Sequence, residues 1–186
     1  MEAYFDNSAT TKCYEAVREI VCRTMTEDYG NPSAMHRKGV EAEQYIKDAK
    51  ASIARLMKVN EKEILFTSGG TESNNLALIG GVMANKRKGN HIITTAVEHP
   101  AVGQPVEYLE SLGFEVTILP VDERGVVLLD ALEEALRPDT ILVSTMYVNN
   151  EVGSVMPVEK IAKLVHEKSP KALYHVDAIQ AFGKYR

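Results

Sequence analysis

Basic residues are scarce. The 186 residues carry 21 Lys and Arg against 26 Asp and Glu, a net charge of -5. Lys86-Arg87-Lys88 is the only dense basic run, and it reads as a solvated helix end. A nucleic-acid surface needs clustered cations, so that class of partner is set aside. No apolar run approaches the ~20 residues of a membrane span. The start, Met1-Glu2-Ala3-Tyr4-Phe5-Asp6, lacks the basic and apolar regions of a signal peptide. The expected compartment is the cytoplasm. Only two cysteines occur, Cys13 and Cys22. If one helix carries both, their spacing puts them on opposite faces, which argues against a disulfide. No cysteine spacing resembles a zinc site.

What is present is an alternation of amphipathic helices and short apolar strands. Ala16, Val17, Ile20 and Val21 form a helical stripe within 14–25. Helices are also predicted over 39–57, 71–85, 100–111, 130–136 and 158–166. Strands are predicted over 64–67, 91–95, 115–119, 140–146 and 173–176. The run Thr140 to Met146 is almost continuously apolar, as expected for a strand covered on both faces. The order implies an α/β fold with a mostly parallel sheet flanked by helices. Ligands in such folds sit beyond the carboxyl ends of the strands. The expected division is an N-terminal segment, 1–15, packing with a small lobe, and a large domain over 16–186.

The chemistry-bearing segments follow predicted strands. Ser68-Gly69-Gly70-Thr71 opens a helix. Its glycines allow close backbone approach, and a helix start offers N–H groups to an anion. The alternative is a tight turn with Ser68 or Thr71 as a helix cap. Glu98-His99-Pro100 places an imidazole that could stack on a flat ring or move a proton, or serve structure alone. Asn149 and Asn150 could meet a ligand oxygen or simply form a turn. His175 and Asp177 share one strand face, with Gln180 just beyond. A carboxylate there is costly unless paired. A pyridinium N–H would pair it, and a metal would be the other use of His-x-Asp. A phosphate cup and a carboxylate for a ring nitrogen together suit pyridoxal 5'-phosphate (PLP).

Taken in order, these segments resemble the NifS/IscS-like cysteine desulfurases of the class-V aminotransferase group. The resemblance runs through Tyr4 to Thr11, Gly30-Asn31-Pro32-Ser33, His36, Thr67 to Asn74, Glu98-His99, Val148 to Gly153, and His175 to Gln180. It implies part of the large domain of a fold-type-I PLP enzyme. It implies that Gly70 and Thr71 hold the phosphate, and that His99 stacks on the ring and assists proton transfer. Asp177 would pair with the ring nitrogen, and Asn150 and Gln180 would reach the ring's phenolic oxygen. The segment 7–11 and the Asn31/His36 loop would lie near the mouth of the site, at a homodimer interface. The implied reaction converts L-cysteine to L-alanine. A cysteine thiolate takes the sulfur as a persulfide, for acceptor or scaffold proteins of iron–sulfur cluster or thio-cofactor assembly.

Family members continue well past the equivalent of Arg186. Their Schiff-base lysine, in a Ser-x-His-Lys segment, their nucleophilic cysteine and their substrate-carboxylate arginine have no counterpart here. Lys184 lies too soon after Gln180, and Cys13 and Cys22 lie in the wrong region. The sequence therefore reads as the N-terminal half of a desulfurase, and residues 1–186 alone are expected to be inactive. Other readings are a selenocysteine lyase or aminotransferase of the same class, an inactive binding module, and a metal-dependent hydrolase using His175 and Asp177.

Overall fold

A computed structural model describes residues 2–184. The chain forms two compact units, residues 1–66 and 67–186. In the first, helix α1 (Glu15–Thr26) precedes helix α2 (Arg37–Met57), and a single 3-10 turn (Glu61–Glu63) follows. Asp28, just after α1, accepts hydrogen bonds from Arg23 Nε at 3.0 Å and from the Tyr45 hydroxyl at 2.7 Å. These tie the two helices together and hold the Asp28 carboxyl below its ordinary range, the Tyr45 hydrogen bond contributing most. His36 is the N-cap of α2, its Nδ1 accepting from Gly39 N, and Asn31 Oδ1 accepts from Ser33 N. Both residues thus have local backbone duties.

The second unit is a four-stranded parallel sheet. Helix α3 (Gly70–Asn75) runs through a π turn (Leu76–Gly80) into α4 (Gly81–Asn85). There follow β1 (His91–Thr95), α5 (Pro100–Ser111), β2 (Glu115–Leu119) and α6 (Leu129–Ala135). Strand β3 (Thr140–Met146), helix α7 (Val158–Lys168) and strand β4 (Leu173–Asp177) complete it. The strand order is β2-β1-β3-β4, and every pairing is parallel.

Alternation along the central strands builds two cores. Ile93 and Val143 face one side, with Leu132 of α6 and Ile161 and Val165 of α7. Ile92 and Leu142 face the other, with Leu78, Val82 and Val102, Val106 and Leu109 of α5. All seven residues of β3 are buried, because β3 has strands on both edges and helices on both faces. This is why its sequence reads as one apolar run.

The strand expected over 64–67 does not form. Those residues have no paired neighbour, and Leu65 and Phe66 are exposed. Apolar, β-prone composition can favour extension, but a strand also needs a partner for its N–H and C=O groups. Residues 68–69 are therefore entered from an unpaired segment rather than from the sheet.

Candidate cofactor site

Parallel strands put all their carboxyl ends on one edge, and the candidate residues come from that edge. Asp177 ends β4 and is buried. Its Oδ2 accepts from Asn74 Nδ2 at 2.8 Å, and its Oδ1 from the Ile179 amide at 3.1 Å. A carboxylate accepts at both oxygens, so these two donors hold it in one orientation and offset part of the cost of its burial. Asn74 lies one turn into α3, so the helix that starts at Gly70 is also the one that fixes Asp177.

Gly70 borders the same cleft as Asp177, a space of about 490 Å³ whose walls also include Ser73, Asn74, His175 and Ala178. That volume is within the range of small-molecule sites. A Cβ on Gly70 would stand 2.0 Å from Ile179 Cδ1. The start of α3 thus lies against the flexible Ile179 side chain after β4. Around it, Glu72 accepts from both the amide and the hydroxyl of Ser68, each at 2.6 Å, which pins the turn and lowers the Glu72 carboxyl. Ser68 is thus engaged by the helix, while Thr71 is exposed on the first turn of α3.

His175 neighbours Asp177 on the strand. Its Nδ1 is 2.8 Å from the hydroxyl of Ser144, its partner on β3. Burial lowers the imidazole below its ordinary range, with the Asp177 charge pulling the other way. On the opposite face, the Tyr174 hydroxyl meets Thr145 Oγ1 at 2.8 Å, and burial pushes it up to about 12.

The remaining expected residues lie at neighbouring strand ends and do not border that cleft. His99 is exposed and caps α5, its Nδ1 accepting from Ala101 N at 3.0 Å. That contact makes Nδ1 the acceptor and leaves Nε2 for the proton of a neutral ring. Asn150 follows β3 and donates to Glu151 Oε1 at 2.6 Å. Gln180 is half-buried, and its Oε1 accepts from Lys184 Nζ at 3.2 Å. Of the two adjacent asparagines, Asn149 does the structural work. It is buried, its Oδ1 accepts the Glu151 and Val152 amides, and its Nδ2 donates to Val97 O. Sequence reasoning assigned no role to Asn74 or Glu98. Both stood inside the quoted motifs, but Asp177 and Met146, the partners that give them their roles, lie far along the chain. Among the described residues, no helix is long and apolar enough to cross a membrane.

The donor chemistry at this edge fits PLP: a glycine-opened helix start for an anion, and an oriented carboxylate for a ring nitrogen. Comparison with known proteins gives the family. Residues 3–186 match the family described as "Aminotransferase class-V". A protein of Bacillus subtilis named putative cysteine desulfurase IscS 1 is 48% identical over 97% of this chain and 47% of its own. Cysteine desulfurase IscS 1 of Archaeoglobus fulgidus is 44% identical, again over 97% of this chain and 47% of its own. The chain thus spans about half the length of the curated relatives it matches. A solved NifS-like protein superimposes with a TM-score of 0.94 at 42% identity, over 97% of this chain and 50% of that one. A structure titled SspA in complex with cysteine gives 0.91 at 38% identity, over 97% and 52%. The chain belongs to the class-V aminotransferase family, and within it to the NifS/IscS-like group.

Proposed function

We propose that this chain supplies the cofactor-binding part of a PLP-dependent cysteine desulfurase, which converts L-cysteine to L-alanine and passes the sulfur on as a persulfide. The observation that carries the reading is the shared cleft of Gly70 and the Asn74-braced Asp177. When bound, PLP supplies an electron sink for bonds at the substrate's α-carbon. Gly70 and Thr71 are proposed to hold its phosphate by backbone N–H groups and the Thr71 hydroxyl. Asp177, as a carboxylate held by Asn74 and the Ile179 amide, keeps the proton on the ring nitrogen by charge. His99 covers the ring, and its Nε2 holds or moves a proton at the substrate. Asn150 and Gln180 orient the phenolic oxygen. Homodimeric assembly, sulfur-acceptor or scaffold partners and a cytoplasmic setting belong to the same proposal, as the resemblance to the NifS/IscS-like group implies.

The test uses protein expressed from the complete reading frame. With PLP it is expected to show a visible band that borohydride bleaches, and to form alanine from cysteine. Asp177→Asn should keep the fold by circular dichroism and lose turnover, because an amide cannot hold the ring proton by charge. Near-normal alanine formation by that variant would remove Asp177 from the assignment.

A further inference from the structure

We propose that Glu98 is a positioning residue, a buried carboxyl strut that sets where His99 stands relative to Asp177; the proposal rests on the cofactor reading above for its functional meaning, but not for its geometry. His99 and Asp177 follow or end strands that are not neighbours: β3 lies between β1 and β4. Something must fix the loop after β1 against the end of β3. Glu98 Oε1 does so, accepting from Met146 N at 2.9 Å and from Thr95 Oγ1 at 2.5 Å. Met146 is the residue of β3 that pairs with Asp177, and the next amide, Tyr147 N, donates to Asp177 O at 2.8 Å. One covalent step separates Glu98 from His99. The path from His99 to Asp177 therefore runs through a single side-chain-to-backbone hydrogen bond and one strand pair. Asn149 Nδ2 holds Val97 O from the same end of β3, so the loop is gripped on both sides of its turn.

The second carboxyl oxygen bears on how the strut titrates. Oε2 is buried and has no hydrogen-bond partner among the described residues. Burial raises the Glu98 carboxyl to about 7, and the Asp177 charge adds to the rise, against the Thr95 and Met146 hydrogen bonds. The titratable groups that face it are Asp177 and Tyr174, both on β4, and His99 is its chain neighbour. The strut therefore takes up its proton as pH falls through about 7. Ionising Glu98 would put a second carboxylate into the same low-dielectric edge. The ionised carboxylate accepts from Met146 and Thr95 more strongly, but its burial costs more, and opening the loop relieves that cost, so the loop opens more readily as pH rises.

Two variants and one direct readout test this. Glu98→Gln keeps an acceptor oxygen without the titration, and Glu98→Ala removes the strut. Hydrogen exchange at the Met146 amide is measured in each at pH 6 and pH 8, corrected for intrinsic rates, in the protein from its complete reading frame. Glu98→Ala should lose roughly tenfold protection at Met146, the change that an ordinary lost hydrogen bond gives. Glu98→Gln should keep the same protection at pH 6 and pH 8, while the parent's falls between them. PLP titration forms the second arm: Glu98→Ala should bind more weakly and Glu98→Gln should be rescued. Parental exchange in Glu98→Ala, or equal loss in both variants, would overturn the strut. A parent that binds no PLP overturns the cofactor reading instead, and the exchange arm then decides the strut alone.

Discussion

Removing the Asn74 side chain should cost far more than its small size implies. Asn74→Ala deletes the donor that meets Asp177 Oδ2 at 2.8 Å. Asn74 is 3% exposed and Asp177 7%, so water has little access to replace the lost donor. A hydrogen bond to a charged group contributes about 1.5–3 kcal/mol, and its loss costs somewhat more where the buried charged acceptor is left short of a donor. The expected loss is about 2–4 kcal/mol, a large share of an ordinary domain's stability. Urea unfolding followed by far-UV circular dichroism reads it as a lower midpoint at constant slope. A double-mutant cycle isolates the pair. Asp177→Ala removes the other partner, and the two changes together should cost less than their sum by about 1–3 kcal/mol. A coupling below about 0.5 kcal/mol would refute the claim that this pair braces the edge. So would an Asn74→Ala midpoint equal to the parent's.

Thr71→Val keeps the side-chain shape and removes the hydroxyl; PLP retention in a dialysis titration should weaken by about 1–3 kcal/mol, and unchanged affinity would make Thr71 an ordinary first-turn residue. Gly89→Ala would bring a Cβ to 2.0 Å from the backbone oxygen of Asp139; the connection into β1 must shift, and a melting temperature unchanged within about 1 °C would contradict that approach. Glu98→Gln should become more stable than the parent as pH rises. The raised carboxyl binds its proton more tightly folded than unfolded, so the parent loses stability from about pH 4.5 through about 7. The difference should level off near 3 kcal/mol, and a pH-independent difference between the two would count against it. His175→Gln should flatten the acid side: burial lowers the folded imidazole, so the parent loses stability as pH falls below the unfolded value of 6.5.

What was legible in the sequence was whatever depends on local pattern. The double-sided burial of β3 is written in the unbroken apolar run from Thr140 to Met146. The shared face of His175 and Asp177 follows from strand alternation, and the helix opening at Gly70 from its two glycines. Order along the chain was enough to suggest the family. Tertiary structure alone decided the partners. Asn74 and Asp177 are 103 residues apart, and Glu98 and Met146 are 48 apart. No periodicity links such positions, because they meet only after the strands have chosen their order. The same holds for the expected strand at 64–67. Its composition favours extension, but a ladder needs a second chain segment beside it, and among the described residues none pairs there. His99, too, reads in sequence as a ring-stacking group. Folding shows that its Nδ1 is first a helix cap, because a helix start presents amides that need an acceptor wherever the chain turns into one.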